Sequence, residues 1–199
     1  RQMCIRDRYQ IYKTPGYVYM KGNVQIYSAG KQAADISAFP EGIAVAVGSE
    51  EDVPDICPDQ TIDKVFTIEN LTSFYRFKQE HSLVIYLGGY HNRSRRNLLM
   101  QIYQKLPDAQ YYHFGDLDAG GFYILEHLKR KTGIPFQMFQ MDIETLKKYE
   151  DYAKPLTEND KKRLMQLEKM ELPDEERKLI TYMLQKGIKL EQECISESQ

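Results

Sequence analysis

Cysteine is scarce in this chain of 199 residues, which has only Cys4, Cys57 and Cys194. The three lie far apart in sequence and none belongs to a CxxC pair, so the pattern indicates neither a zinc site nor a disulfide framework. A reducing cytoplasm is therefore the expected location of the protein.

Long apolar runs are missing too, as is a strong charge of one sign. No run approaches the about 20 residues that a membrane helix needs, and the first residues lack the apolar segment of a signal peptide. The 27 Lys and Arg residues against 29 Asp and Glu residues give a net charge of −2, which neither demands nor excludes a nucleic-acid partner. We expect a soluble protein without a membrane partner, built from one substantial domain or from a domain with a small appendage.

The N-terminal quarter is predicted to differ from the rest. Residues 3–8 (MCIRDR) resemble a translated sequencing adaptor, so residues 1–8 are left out of the fold prediction. The natural protein is then expected to extend upstream, with this chain as its C-terminal fragment. Residues 9–63 predict a β-rich remnant of a domain or an inter-domain segment, with a hairpin of strands 17–20 and 24–27, a strand at 43–48, and a linker containing Pro54 and Pro58.

A regular alternation of strands and helices begins near Lys64 and continues to about residue 195. The predicted strands are 65–69, 83–88, 111–114 and 136–141, and the predicted helices are 71–80, 94–105, 121–131, 161–170 and 175–186. Such alternation is typical of right-handed βαβ crossovers. The sequence therefore predicts an α/β fold, with a parallel sheet of about four strands flanked by helices.

Three acids follow two of these strands. Glu69 ends the first strand, and Asp116 and Asp118 lie in the glycine-rich turn after the third. Ligand sites of parallel sheets lie at the carboxyl ends of strands, and two carboxylates held close together repel unless a cation lies between them. Mg²⁺, with Mn²⁺ as an alternative, suits oxygen ligands of this kind. If strands 65–69 and 111–114 adjoin, Glu69 can reach the same region and act as a ligand or a general acid–base, and the three acids together predict a divalent-metal site.

Simpler interpretations of the same residues stay open. An isolated Asp-x-Asp in a glycine-rich turn is more often a turn with helix-capping acids, and a Glu-Asn pair is often an ordinary strand end. Their joint occurrence in one βαβ series favours a site. A phosphatase of the haloacid dehalogenase type carries such a pair after its first strand, whereas here the pair follows the third.

A basic segment starts the second predicted helix of the series. Arg93, Arg95 and Arg96 are unfavourable at a helix N-terminus, which indicates that an external anion such as nucleic-acid phosphate compensates them. The alternative is a solvated helix face. His91 and His113 are candidate acid–base groups or ligands, although a lone histidine is more often structural.

The last acids of the chain are ambiguous in sequence. Glu191 and Glu193 offer further carboxylates for the site, but the sequence favours a solvated helix end there.

Two motifs together resemble a known family. Residues 68–74 (IENLTSF) and 114–122 (FGDLDAGGF) resemble a Toprim domain, the catalytic fold of topoisomerases, primases and several nucleases. Within that group they are similar to the C-terminal domain of the JetD family, nuclease subunits of the Wadjet anti-plasmid defence systems. The topoisomerase VI A subunit is a more distant likeness. The resemblance covers residues 60–195, and residues 64–195 form the expected catalytic domain.

The resemblance implies Mg²⁺-dependent cleavage of double-stranded plasmid DNA. It makes Asp116 and Asp118 metal-binding carboxylates, and Glu69 a general acid–base or a further ligand. It also implies an SMC-like ATPase complex as partner, and it leaves a homodimer open. Two alternatives remain: a transesterase of the topoisomerase VI kind, which needs a nucleophilic tyrosine on a separate domain, and a non-catalytic interaction module.

Overall fold

The computed structural model describes residues 16–47, 54–89 and 93–195. Residues 1–8, the acidic part of the predicted linker (50–52) and His91 lie outside these ranges. Within them, no helix combines the length and the apolar character that crossing a membrane requires.

The chain forms eleven strands and six α-helices in its described parts. The strands are β1 (Gly16–Lys21), β2 (Val24–Ser28), β3 (Lys31–Asp35), β4 (Ile43–Val47), β5 (Asp55–Pro58), β6 (Lys64–Ile68), β7 (Ser82–Tyr86), β8 (Gln110–Phe114), β9 (Gln137–Met138), β10 (Lys154–Pro155) and β11 (Ile188–Lys189). The helices are α1 (Leu71–Arg76), α2 (Arg93–Lys105), α3 (Ala119–Thr132), α4 (Ile143–Lys148), α5 (Glu158–Leu167) and α6 (Asp174–Lys186).

The main sheet has six strands in the order β4-β1-β7-β6-β8-β9. Strands β7, β6, β8 and β9 run parallel, as the alternation predicted. Strands β1 and β4 add an antiparallel edge beside β7. The result is a mixed α/β sheet in which β6 and β8 are direct neighbours.

Helices cover both faces of this sheet, because its strands are apolar on both sides. Along β6, Val65 belongs to one buried cluster and Phe66 to the other, as the period of two along a strand requires. The first cluster takes side chains from α2 and α3, and the second takes them from α1 and from α3 to α6. Helices packed on both faces therefore hold the parallel strands, including their carboxyl ends, in place.

Two predictions about the N-terminal part are wrong. Strands β1 and β2 do not form a hairpin, because β1 pairs with β4 and β7 whereas β2 pairs with β3 and β5 in a separate three-stranded sheet. Both hydrogen-bonding edges of β1 are occupied, so β2 has to leave the main sheet. The second error is the linker, since residues 55–58 form strand β5.

Two further elements are shorter than predicted. Helix α1 ends at Arg76, because Phe77 takes an extended conformation and its ring packs in the core at 4.7 Å from the ring of Phe66. Strand β9 covers only Gln137–Met138 of the predicted 136–141. Gln140 has a φ of 51°, which is incompatible with continuing the strand.

Candidate active site

The two strand ends that carry the acids lie side by side. In the parallel pairing of β6 with β8, Ile68 is opposite Phe114, and the backbone N–H of Glu69 donates to the carbonyl of Phe114 at 3.1 Å. The strands predicted at 65–69 and 111–114 are therefore neighbours, which is what Glu69 needs to reach the aspartates. Glu69 and the Asp116 turn leave the sheet at the same edge.

Glycines let the backbone approach the acids closely. A Cβ atom on Gly115 would lie 2.9 Å from Glu69 Oε2 and 2.8 Å from His113 Nε2. A Cβ atom on Gly121 would lie 2.2 Å from the carbonyl oxygen of Asp116, which no side chain tolerates. The carboxylate of Glu69 therefore lies against the turn that carries Asp116 and Asp118.

Backbone N–H groups hold one oxygen of each aspartate. Asp118 is the N-cap of α3, and its Oδ1 accepts from the N–H of Gly121 at 2.9 Å. The Oδ1 of Asp116 accepts from the N–H of Gln192 at 2.7 Å. Helix capping by Asp118, the simpler interpretation of the motif, is therefore real, and it uses one of the two carboxylate oxygens.

The acids act on one another electrostatically. Burial raises the pKa of Glu69 to about 7, with help from the charges of Asp116, Asp118 and Glu191 and against a hydrogen bond from the backbone N–H of Asp116. Burial also raises the pKa of Asp116 to about 6, opposed by the N–H of Gln192 and reinforced by Asp118, Glu191 and Glu193. The turn concentrates negative charge that a cation would offset.

One carboxylate oxygen of Glu69 lacks a hydrogen-bond donor among the described residues. Glu69 Oε2 is buried and accepts no hydrogen bond from the described residues. In the same part of the chain, no three His, Cys, Asp or Glu side chains are arranged as a complete metal-binding cluster. Glu69, Asp116 and Asp118 thus share one edge of the sheet without forming a closed set of ligands.

The C-terminal segment lies at the site, where the sequence favoured a solvated helix end. Residues 192–194 form a 3₁₀ turn, and Leu190 pairs with Leu117 of the Asp116 turn. Glu193 accepts a hydrogen bond from the side chain of Asn70, which itself caps α1. Glu191 forms an ion pair with Lys154 at 3.2 Å. Polar residues near a chain end carry no sequence signal for such docking.

Lys189 is a second residue that the sequence did not single out. Its Nζ forms an ion pair with Asp160 Oδ2 at 3.0 Å. Burial works to lower the pKa of Lys189, but the hydrogen bond with Asp160 and the charges of Asp160, Asp118 and Glu191 together raise it. The positive charge of Lys189 is therefore close enough to Asp118 and Glu191 to interact with them electrostatically.

The other candidates have separate surroundings. His113 is fully buried on β8, and its Nδ1 lies 3.0 Å from the hydroxyl of Thr67. Arg95 is half-buried, with its guanidinium donating to the carbonyl of Leu87 and, at 3.5 Å, to that of Tyr17. Arg93 is exposed and Arg96 is half-buried on the same helix, α2. Arg95 therefore takes part in the fold, and its role toward an external anion stays a prediction.

Fold and site together define an α/β protein whose acids meet at the carboxyl edge of parallel strands. The chain belongs to the family described as Wadjet protein JetD, C-terminal, which matches residues 50–199. It is 31% identical over 183 residues to a protein of Bacillus cereus (strain Q1) named Wadjet protein JetD. That match covers 89% of this chain and 44% of the relative, so the chain spans less than half of the relative's length.

Proposed function

We propose that this chain carries the catalytic centre of a Mg²⁺-dependent DNA endonuclease that cleaves plasmids as a subunit of a Wadjet-type defence system. The observation that carries the proposal is the position of Glu69, whose carboxylate lies against Gly115 in the turn of Asp116 and Asp118. Glu69 and the Asp-x-Asp pair at adjacent parallel strand ends also support a Toprim-like domain. Membership of the JetD family supports the link to Wadjet.

The chemistry of the donors fits a hard divalent cation. Glu69, Asp116 and Asp118 are oxygen donors, and the buried Oε2 of Glu69 lacks a hydrogen-bond partner among the described residues. In this proposal the two aspartates hold the ion, and Glu69 is a further ligand or the acid–base group. A bound Mg²⁺ supplies charge that stabilises the phosphoryl oxygens and lowers the pKa of bound water.

The protein residues have distinct tasks. Glu69, with a pKa of about 7, exchanges a proton near neutral pH, which suits it to accept the proton of the attacking water. The N–H groups of Gly121 and Gln192 keep Asp118 and Asp116 oriented. Water then attacks the phosphorus atom and passes a proton to Glu69, while the P–O bond to one deoxyribose breaks and the departing oxygen takes a proton from solvent.

The proposed partners follow from this activity. Double-stranded plasmid DNA is the substrate, and the exposed Arg93 with Arg96 on α2 offers charge for its phosphates. Helix α2 follows β7, so its first turn lies toward the same sheet edge as the acids. An SMC-like ATPase complex in the cytoplasm is the proposed assembly partner, and a homodimer stays open.

Plasmid cleavage in Mg²⁺ tests this function. The purified chain should convert supercoiled plasmid to nicked or linear DNA, and EDTA should stop it. Glu69→Gln, Asp116→Asn and Asp118→Asn should each lower the rate by about 100-fold or more, because each removes a charge from the ion site. Asp59→Asn is the matched control, since Asp59 also accepts a backbone N–H, that of Thr61, but lies before β6, at the opposite end of the strand from Glu69, and its rate should equal that of wild type.

Other outcomes identify the alternative functions. Wild-type rates in the Glu69, Asp116 and Asp118 variants would contradict the nuclease proposal. A covalent protein–DNA adduct would identify a transesterase. A chain that binds neither Mg²⁺ nor Mn²⁺ near Asp116 would be a non-catalytic interaction module.

A further inference from the structure

The segment after β11 returns to the site through backbone hydrogen bonds. The N–H of Leu117 donates to the carbonyl of Leu190 at 2.8 Å, and the N–H of Leu190 donates to the carbonyl of Leu117 at 3.1 Å. This pair joins the middle residue of the Asp-x-Asp turn to the residue two before Gln192. The 3₁₀ turn at 192–194 is thereby held against the ends of β6 and β8.

Gln192 is the buried centre of this contact, with no exposed surface. Its side-chain Nε2 donates to the carbonyl of Phe114, the last residue of β8, at 3.1 Å. Its Oε1 accepts from the backbone N–H of Asn70, which follows Glu69, at 2.8 Å. One amide side chain therefore links the two strand ends that carry the acids.

The backbone of Gln192 reaches an acid directly. Its N–H donates to Asp116 Oδ1 at 2.7 Å, and its side chain accepts from the N–H of Asn70, the residue after Glu69. The side chain of Gln192 thus fixes its own backbone and the end of β6, and its backbone fixes the Asp116 carboxylate. One residue therefore holds both the Asp116 carboxylate and the backbone that carries Glu69, and its side chain touches neither acid.

We infer that Gln192 is a positioning residue that sets the metal-binding geometry of Asp116 and Glu69 by linking the ends of β6 and β8. This inference rests on the proposed function, because it concerns the same site. Hydrogen-bonding partners behind metal ligands commonly change metal affinity by about 10- to 100-fold when they are removed. A glutamine that only stabilised the fold would change the melting temperature and leave metal affinity intact.

The test measures Mn²⁺ affinity by electron paramagnetic resonance on the full 199-residue chain, together with melting temperatures in EDTA and in Mn²⁺. Gln192→Met keeps the side-chain length and removes both side-chain hydrogen bonds. Gln192→Glu keeps the acceptor for Asn70 and removes the donor to Phe114. Gln185→Met is the control, since it makes the same glutamine-to-methionine change at an exposed position of α6, away from the site.

We expect Gln192→Met to weaken Mn²⁺ binding about tenfold and to reduce the rise in melting temperature that Mn²⁺ causes, with Gln185→Met unchanged. Gln192→Glu should weaken binding as well. Gln192 variants that melt earlier in EDTA yet bind Mn²⁺ as wild type does would overturn the inference and leave the proposed function standing. A wild-type chain that binds no Mn²⁺ would overturn the proposed function, and the inference with it.

A measurement on the unmodified chain covers variants that fail to fold. Because the backbone N–H of Gln192 donates to Asp116, its NMR signal should shift when Mg²⁺ is added. The titration of this shift should give the same dissociation constant as Mg²⁺ binding at the site. Mg²⁺ binding that shifts other resonances of the site but leaves this proton unmoved would contradict the positioning role.

Discussion

Burial and the neighbouring negative charges both raise the pKa of the Glu69 carboxyl group. Its carboxylate is half-buried against the Asp116 turn, and both Asp116 and Asp118 raise the cost of ionising it. The pKa of Glu69 rises to about 7 and that of Asp116 to about 6, whereas isolated carboxyls titrate near pH 4. In EDTA, the folded chain consequently binds protons that the unfolded chain has already released.

This difference predicts how stability depends on pH. Because the pKa of the folded state is raised, the stabilising effect is full below the ordinary pKa and is lost as pH rises through the folded value. In EDTA the free energy of unfolding should therefore fall between about pH 4 and about pH 7. Glu69→Gln, which cannot ionise, should lose about 2 kcal/mol less than wild type over that window in urea denaturation.

Metal supplies the control for this measurement. Mg²⁺ at saturating concentration should remove most of the decline, because it stabilises the ionised carboxylates of the folded chain. A decline in EDTA that is no larger in wild type than in Glu69→Gln would show that Glu69 titrates near its ordinary pKa.

Elements show what the sequence could and could not predict. The alternation of apolar runs predicted β6, β7 and β8 to within two residues at each end, because strands buried on both faces have a strong pattern. The sequence pattern does not show which strands pair with each other, so it could not predict that β2 lies in a second sheet. The closeness of Glu69 to the turn of Asp116 and Asp118 was predictable, because all three follow strands of one parallel series. The docking of Gln192 was not, since it depends on contacts between residues more than 70 positions apart.

Helices α3 and α6 are joined by an ion pair that should matter for stability. Lys129 Nζ contacts Glu176 Oε1 and lies 2.9 Å from Glu126 Oε1, and the Glu176 side chain is only 4% exposed. Lys129→Met would leave the Glu176 charge buried without its cation, so it should lower the free energy of unfolding by about 3 kcal/mol.

The double variant checks the reason for that loss. Lys129→Met with Glu176→Met should recover much of the stability in urea denaturation, because the buried Glu176 charge is removed along with its cation and the Glu126 side chain is 18% exposed. A single Lys129→Met variant as stable as wild type would mean that the pair contributes little.

At the scale of the whole molecule, the arginines of α2 should separate into two kinds. Arg93→Ala, at an exposed position, should weaken binding to duplex DNA and lower the salt dependence of binding by about one phosphate contact. Arg95→Ala should instead cost about 1 to 2 kcal/mol of stability, because it removes the donor to the carbonyls of Leu87 and Tyr17.

Fluorescence anisotropy with labelled duplex DNA at several salt concentrations measures the first effect, and thermal unfolding measures the second. An Arg93→Ala chain with unchanged affinity and salt slope would remove α2 from the proposed DNA surface.

We propose that Glu69, Asp116 and Asp118 hold one divalent cation. Anomalous diffraction from crystals grown with Mn²⁺ locates such an ion without reference to activity. We expect a peak within coordination distance, about 2.1 to 2.3 Å, of carboxylate oxygens from these residues, with Asp116 Oδ1 still bonded to the Gln192 N–H. An anomalous map with no peak at this turn, or with its Mn²⁺ peak elsewhere on the chain, would contradict it.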